Sequence, residues 1–268
     1  MPEGDTVYRA GRLLDRALSG KVLTGSDFRV PQHATADLSG ATVVGTVSRG
    51  KHLLTRVAGP GDGERWTLHT HLKMEGAWRV HAPHERWRRP AHQARVVLRT
   101  DDAVAVGFSL GIVELIPTDA EGEVVGHLGP DLLGPDWDES EALRRLAEAP
   151  ERPIGEALLD QTRLAGVGNM YMAELCFVAG VHPATPVAGV PDLTRLVRRA
   201  KQMLEVNKQR AAQSTTGDLR ERERMWVFRR DRSPCRRCRT PIAVDMIGPA
   251  DRRRAAYWCP SCQPAPAG

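Results

Sequence analysis

The stretch Asp160-Gln161-Thr162-Arg163-Leu164-Ala165-Gly166-Val167-Gly168-Asn169-Met170-Tyr171-Met172-Ala173-Glu174-Leu175 reads as the end of one helix, a glycine-bearing turn and the start of another. The glycines at 166 and 168 let the backbone approach a ligand closely. Asn169 opens the second helix, where free N–H groups and the helix dipole favour an anion such as phosphate. A plain N-cap is the alternative role for that side chain. Around this stretch the pattern stays helical, with helices expected over 154–161 and 169–179 and a longer one over 191–211. In the last, Leu193, Leu196, Val197, Ala200, Met203 and Leu204 share one apolar face.

Beyond the helices, from Met225 onward, strand-like alternation returns and carries four cysteines. Cys235-x2-Cys238, twenty residues, then Cys259-x2-Cys262 is a four-cysteine zinc spacing. Each pair sits on a tight knuckle, and the twenty intervening residues suffice for a β-hairpin. Four thiolates leave the metal no open position, so one structural Zn2+ is expected rather than a catalytic one. A redox pair of Cys-x-x-Cys motifs is the alternative, but nothing nearby resembles a thioredoxin unit. Cys176, among Leu175, Phe177 and Val178, reads as a packed core residue.

Toward the N-terminus the period changes to two. One amphipathic helix runs from a cap at Asp5 or Thr6 through Val7, Ala10, Leu14 and Leu18 to Gly20. Strand-like runs then cover 22–30, 42–57, 66–80, 94–100 and 103–116, with turn signals at 59–63 and at Asp101-Asp102. The fold class expected is α+β multidomain: an N-terminal antiparallel β-sandwich with a leading helix, then a helical domain with a C-terminal zinc hairpin. The expected organisation is 1–118 sandwich, 119–152 linker with a short helix, 153–224 helical domain, 225–263 cysteine hairpin and 264–268 disordered tail.

The bulk numbers fit a soluble globular protein, with 268 residues, 41% hydrophobic and 26% charged. No apolar run approaches the length of a membrane span and no signal peptide is evident, so a cytoplasmic location is expected. The formal charge of +5 suits a polyanionic partner. Arginines crowd 195–254 while lysine occurs only at 21, 51, 73, 201 and 208. Arginine forks suit phosphate oxygens; a compositional bias toward arginine explains much of the ratio.

The chain starts Met1-Pro2-Glu3-Gly4. Removal of Met1 would expose a proline secondary amine, and an α-amine is far less basic than lysine, with a pKa of about 8. Such an amine can attack a carbonyl-like carbon, and an adjacent carboxylate can shuttle protons. The resulting iminium carries a permanent charge and acts as an electron sink.

Taken together, the Pro2-Glu3 start, the Gly166-Val167-Gly168-Asn169 segment, the four-cysteine hairpin and Ser48-Arg49-Gly50-Lys51-His52-Leu53-Leu54 resemble the formamidopyrimidine-DNA glycosylase / endonuclease VIII family of base-excision repair enzymes. The matches span nearly the whole chain in the family's order. The resemblance implies a helix-two-turns-helix domain, and DNA lying between it and the sandwich. It makes Pro2 the nucleophile on C1′, Glu3 the acid/base, and Lys51, Asn169 and Arg254 phosphate ligands, with Lys51 counted among the catalytic residues as well. In His71-Leu72-Lys73-Met74-Glu75-Gly76-Ala77-Trp78, Met74 holds the family's wedge position, an apolar tip that unstacking requires. A packed strand residue is the alternative for Met74. Arg253 stands where the family usually has glycine, and Asp5 where proline is common.

The implied activity is a DNA glycosylase with AP-lyase activity on damaged DNA, acting through a Schiff base on Pro2 followed by β/δ-elimination. The Glu-Gly start, and the lack of an arginine–phenylalanine wedge around Gly107-Phe108-Ser109-Leu110-Gly111, place the chain nearer the endonuclease VIII branch and oxidised pyrimidines. Phe108 reads equally well as core. The same chemistry on oxidised purines, or a noncatalytic damage-binding relative, are the alternatives. A monomer associated with the nucleoid through DNA is expected. His69 and His71 share a strand face with His81, His84 and His92 downstream, but no carboxylate pattern marks a second metal site. Lys51 as the Schiff-base amine would duplicate Pro2. Asp5 either caps the first helix or raises the pKa of Pro2.

Overall fold

The computed structural model describes residues 2–60, 64–251 and 253–266. Met1, positions 61–63 of the turn at 59–63, Arg252 and the last two residues of the tail lie outside these described residues. The chain divides into two compact units, Met1–His127 and Leu128–Gly268. The division falls inside the stretch read as a linker, and side-chain chemistry accounts for its place. Glu121 accepts two bonds from Arg56 (2.8 and 2.7 Å) and one from Thr67 (2.6 Å), holding its segment to the first unit. Past the division, Gly129 N–H donates to the Gln161 carbonyl (2.9 Å) and Ala165 N–H to that of Pro130 (3.0 Å), tying 129–132 to the second unit.

The first unit comprises α1 (Gly4–Leu18), strands β1 (Gly25–Phe28), β2 (Thr42–Arg49), β3 (His52–Ala58), β4 (Arg65–His71), β5 (Ala77–His81), β6 (Ala94–Arg99), β7 (Val104–Phe108) and β8 (Ile112–Pro117), and the short α2 (Glu121–Val125). The strands form two antiparallel four-stranded sheets, ordered β2-β3-β4-β8 and β1-β6-β7-β5. One apolar core draws Leu53, Val57, Leu68 and Val113 from the first sheet, Phe28, Val96, Leu98 and Trp78 from the second, and Val7, Leu14 and Leu18 from α1. This is the expected sandwich with its leading helix. Three long runs are corrected, however: 42–57, 66–80 and 103–116 each hold two strands. The first is a hairpin folded at Gly50-Lys51, and the other two change sheet at Lys73 (φ 50°) and Ser109 (φ 47°). Apolar alternation continues through these breaks because the flanking strands face the same core. The run 22–30 shrinks to Gly25–Phe28.

The second unit holds α3 (Glu139–Ala147), α4 (Ile154–Leu159), α5 (Asn169–Ala179), α6 (Leu193–Asn207) and the hairpin β9 (Ala243–Ile247) with β10 (Arg254–Trp258). The α4–α5 turn is bridged by Gln161, whose amide donates to the Leu159 and Val167 carbonyls (both 2.9 Å) and accepts from Gly166 N–H (3.1 Å). Gly166 has φ 108°, which only glycine adopts without strain. Residues 169–177 of α5 are all buried, as an apolar helix without a polar face requires. One side of α5 packs in the helical core with Leu158, Leu196 and Val197; Ala173 and Phe177 pack with Val227, Cys235, Ile242 and Cys259. The expected strand-like tail from Met225 is corrected to turns followed by this one hairpin. Backbone polarity there is met by turn hydrogen bonds such as Cys235 N–H to the Thr240 carbonyl (2.8 Å).

A wholly buried carboxylate joins the two cores. Glu174 of α5 accepts from the backbone N–H groups of Trp226, Val227 and Phe228 (2.8 Å each) and from the Thr215 hydroxyl. Burial pushes its carboxyl pKa up, and these donors oppose the shift. Glu174→Ala leaves three amide donors buried without an acceptor, at about 1–3 kcal/mol each. Urea unfolding is expected to show a loss of about 3 kcal/mol or more, with Glu174→Gln milder. A loss below about 1 kcal/mol for Glu174→Ala would show that water replaces the carboxylate there.

Candidate functional site

The chain start is positioned by the way α1 lies on β2. Ser19 Oγ donates to the Val44 carbonyl (3.2 Å) and Thr46 N–H donates to Asp15 Oδ1 (3.1 Å). A Cβ on Gly11 would lie 3.1 Å from Leu53 Cδ2 and 3.6 Å from Ser48 N, so only glycine permits this approach without adjustment. Positions 19, 15 and 11 of the helix thus meet 44, 46 and 48 of the strand, and the two run antiparallel. Seven further residues, about 10 Å of helix, carry the start of α1 to the Gly50-Lys51 end of the sheet.

There, Glu3 is the N-cap residue of α1 and is fully buried, while Pro2 is half-buried. The expected cap at Asp5 or Thr6 is corrected. Asp5 sits inside the first turn, wholly buried, 3.8 Å from the Arg9 guanidinium, where the helix dipole favours an acid.

Lys51 occupies the second position of a two-residue hairpin turn closed by the Arg49–His52 pair. Gly50 takes the first position with φ 56°, where such turns favour glycine. Register places further turns at the same sheet end, since His52 pairs with His71 and His71 with Ile112. The chain leaves β4 through Lys73-Met74-Glu75. Met74 is 60% exposed at the tip, which removes the packed-strand alternative. This turn is braced on several sides. Lys73 N–H donates to His71 Nδ1 (2.9 Å), and Gly76 N–H donates to the Leu72 carbonyl (2.9 Å). Arg89 Nη1 donates to the Glu75 carbonyl (3.2 Å), and a Cβ on Gly111 would stand 2.1 Å from Lys73 Cγ. Phe108 resolves as core: it is fully buried, edge-on to Trp87 at 5.8 Å, with Arg89 over its ring at 6.0 Å.

The second unit brings Asn169 beside the residue after Arg254. Asn169 is the first helical residue of α5, with Gly168 as the N-cap, so the plain N-cap reading of the asparagine is corrected. Its Nδ2 donates to the Ala255 carbonyl (2.8 Å), pinning β10 to the start of α5. An amide nitrogen has two N–H donors, so this bond does not use up its donating capacity. Arg254 opens β10 opposite Ile247 and is exposed.

The four thiols Cys235, Cys238, Cys259 and Cys262 place their sulfurs within 4.8 Å of one another. Cys235 and Cys262 Sγ are 4.0 Å apart, and those of Cys238 and Cys259 3.4 Å. Tetrahedral thiolate ligation at 2.3 Å requires edges of about 3.8 Å, so the cluster fits a metal ion and is consistent with a zinc finger. Gln263 fastens it to the helical core by accepting from Cys259 N–H (2.9 Å) and donating to the Val181 carbonyl (2.8 Å). Among the described residues the histidines form no such group. Cys176 is buried and its thiol is pushed up to about 12 by burial, as a core residue should be.

Sequence reasoning missed Glu174, Gln161, Arg89 and the partners of His69. The partners of Glu174, Arg89 and His69 lie 14 to 54 positions away, while those of Gln161 are near in the chain but fall at no spacing that marks them.

Comparison with known proteins gives the same picture. The family model described as the formamidopyrimidine-DNA glycosylase N-terminal domain matches residues 1–109, and that described as the formamidopyrimidine-DNA glycosylase H2TH domain matches 128–217. "Probable endonuclease 8 2" of Streptomyces coelicolor is 52% identical over 270 residues, covering 100% of this chain and 95% of its own. "DNA-(apurinic or apyrimidinic site) lyase Nei2" of Mycolicibacterium smegmatis is 48% identical, covering 99% and 100%. Endonuclease 8 of Escherichia coli is 31% identical, covering 98% and 100%. The Lactococcus lactis Fpg structure in complex with abasic-site DNA superposes with a TM-score of 0.78 at 23% identity, covering 98% of this chain and 100% of that one, which shows the shared fold. The chain therefore belongs to the formamidopyrimidine-DNA glycosylase / endonuclease VIII family of DNA glycosylase/AP lyases, nearer to its endonuclease VIII branch.

Proposed function

We propose that the protein removes oxidised bases, chiefly pyrimidines, from damaged DNA and cleaves the strand through a Schiff base on Pro2. The observation that carries this reading is the convergence at one end of the sandwich. Helix α1 delivers Pro2 and the buried Glu3 to the end that also holds the Lys51 turn and the exposed Met74 tip.

With Met1 removed, the Pro2 nitrogen attacks C1′, the C1′–N bond to the base breaks, and the departing base takes up a proton. Opening of the sugar ring gives a cationic iminium that joins C1′ to Pro2. Glu3 shuttles protons at the sugar oxygen and the amine. The iminium acidifies the C2′–H; loss of that proton expels the 3′ phosphate, and a second elimination expels the 5′ phosphate. Water finally releases the sugar fragment from Pro2.

A base within a duplex hides C1′, so the nucleotide must be extruded and the gap filled, for which Met74 offers an apolar tip. Lys51, Asn169 and Arg254 hold phosphates flanking the lesion. The buried Phe108 and the short Ser109–Gly111 turn leave no arginine–phenylalanine wedge, which supports a pyrimidine over a purine preference. The cysteine cluster holds one Zn2+, a structural ion that keeps the hairpin carrying Arg254 folded. The protein works as a monomer on nucleoid DNA in the cytoplasm.

Glu3→Gln removes the proton shuttle without changing size. Thymine-glycol excision is expected to fall by roughly 100-fold or more, the span typical of a lost general acid–base. Unchanged excision would overturn the assignment. On the wild-type enzyme, faster excision of 8-oxoguanine than of thymine glycol would favour the purine reading. Elemental analysis should find one zinc per chain, and its removal by a chelator should abolish binding to abasic-site DNA. Full affinity in metal-free protein would contradict the structural role.

A further inference from the structure

Beneath the Lys51 turn lies a hydrogen-bonded row of side chains to which the reaction above assigns no part. His52 opens β3 directly after Lys51, His69 and His71 lie two apart on β4, and Glu114 on β8 pairs across the ladder with His69. Glu114 Oε2 is 2.7 Å from His69 Nδ1, and His69 Nε2 is 2.8 Å from His52 Nδ1. The His52 and His69 rings stack at 5.0 Å with 19° between planes, and His71 meets His52 edge-on at 5.0 Å. His69 is buried, 2% exposed, while Glu114 reaches the surface.

The row has a direction. A carboxylate can only accept, so His69 carries its proton on Nδ1. In the neutral tautomer that leaves Nε2 as a lone pair, which accepts from His52 Nδ1–H. His71 Nδ1 accepts from Lys73 N–H at 2.9 Å, which puts the His71 proton on Nε2. The imidazoles of His52 and His71 stay neutral because they are crowded. Burial first, then the nearness of His71, His69, His127 and Lys73, which disfavours a further positive charge, holds the His52 pKa down to about 3. Burial, then Lys73, Lys51 and His69, hold His71 down to about 4. A shared metal ion is a poor account of the pair, because two nitrogens on one tetrahedral ion stand about 3.3 Å apart. At 2.8 Å they share a proton instead.

A two-residue turn has a single flanking pair, here Arg49 and His52. Fixing the His52 ring therefore fixes one of the two posts from which Lys51 projects. We propose that Glu114, His69 and His52 are positioning residues for Lys51, setting the geometry with which its ammonium meets a DNA phosphate. This rests on the reading of Lys51 as a phosphate ligand. The relay adds order rather than binding energy of its own, since Glu114 is 44% exposed and its bond is weakened by water.

The test is a double-mutant cycle on the full-length zinc-loaded protein. The probe is a duplex carrying a tetrahydrofuran abasic analogue for affinity, and natural abasic DNA for turnover. Because His69 is buried, Glu114→Leu at the surface end accompanies His69→Phe as the second variant. Each is expected to weaken affinity roughly five- to tenfold, with saturating kcat within about twofold of wild type. Glu114→Gln, which keeps an acceptor oxygen, should restore most of the affinity. On a Lys51→Ala background neither variant should cost anything further, because the residue they position is gone. An equal loss in both backgrounds, or none in either, overturns the relay alone. A Lys51→Ala protein that binds as well as wild type overturns the phosphate reading of Lys51, and the relay with it.

Discussion

The end of the N-terminal unit that carries Pro2, Glu3 and Lys51 depends on one close approach, the antiparallel seating of α1 on β2 and β3. It is made possible by a missing side chain at Gly11 and secured by the Asp15 carboxylate accepting the Thr46 amide. Reverse the helix and the chain start would lie at the opposite end of the sheet from Lys51. With the helix seated as it is, the amine of Pro2 and the turn of Lys51 are brought to one end by backbone packing. No side chain has to reach across the sheet. Rigid elements hold such groups more precisely than long loops do.

The same end collects the exposed turns because the sandwich must pass strands between its sheets. Both β4-to-β5 and β7-to-β8 connections change sheet, and each turns on a left-handed residue other than glycine, Lys73 and Ser109. Such residues carry local strain of about 1–3 kcal/mol, tolerated where surrounding contacts over-determine them. The Lys73 turn is so determined by His71, Gly111 and Arg89. In the second unit, α5 plays the corresponding part. Its buried Glu174 gathers the chain leading into the cysteine cluster, and Asn169 at its start pins the hairpin strand that Arg254 opens. A helix buried on every side can brace two cores at once.

Much of this was legible in the sequence, wherever a spacing carries its own chemistry. The cysteine pairs and the Gly166-Val167-Gly168-Asn169 turn are local patterns, and the structure gathers the four sulfurs together and starts α5 at Asn169; the Pro2-Glu3 start is local too, but the helix after it begins earlier than the cap read at Asp5 or Thr6. The breaks in the long β runs were hidden, because the apolar period carries on across Lys73 and Ser109 and neither is a glycine. Gly50 was the one break with a visible signal. Roles fixed by distant partners were hidden too. Glu174 bonds to groups 41 to 54 positions away, and His69 to one 45 away. Asn169 shows the limit from the other side. Its type and place suggest a helix cap, yet Gly168 takes that position and the side chain holds the hairpin.

The central claim is that the nitrogen of Pro2 forms the covalent bond to the sugar. Borohydride reduction during turnover of a duplex carrying an oxidised pyrimidine, followed by mass mapping of the adduct, tests it most directly. The account predicts a sugar fragment joined to a peptide that begins at Pro2. An adduct on Lys51 or another lysine would contradict it. So would the absence of any adduct from protein that has lost Met1 and is bound to that DNA.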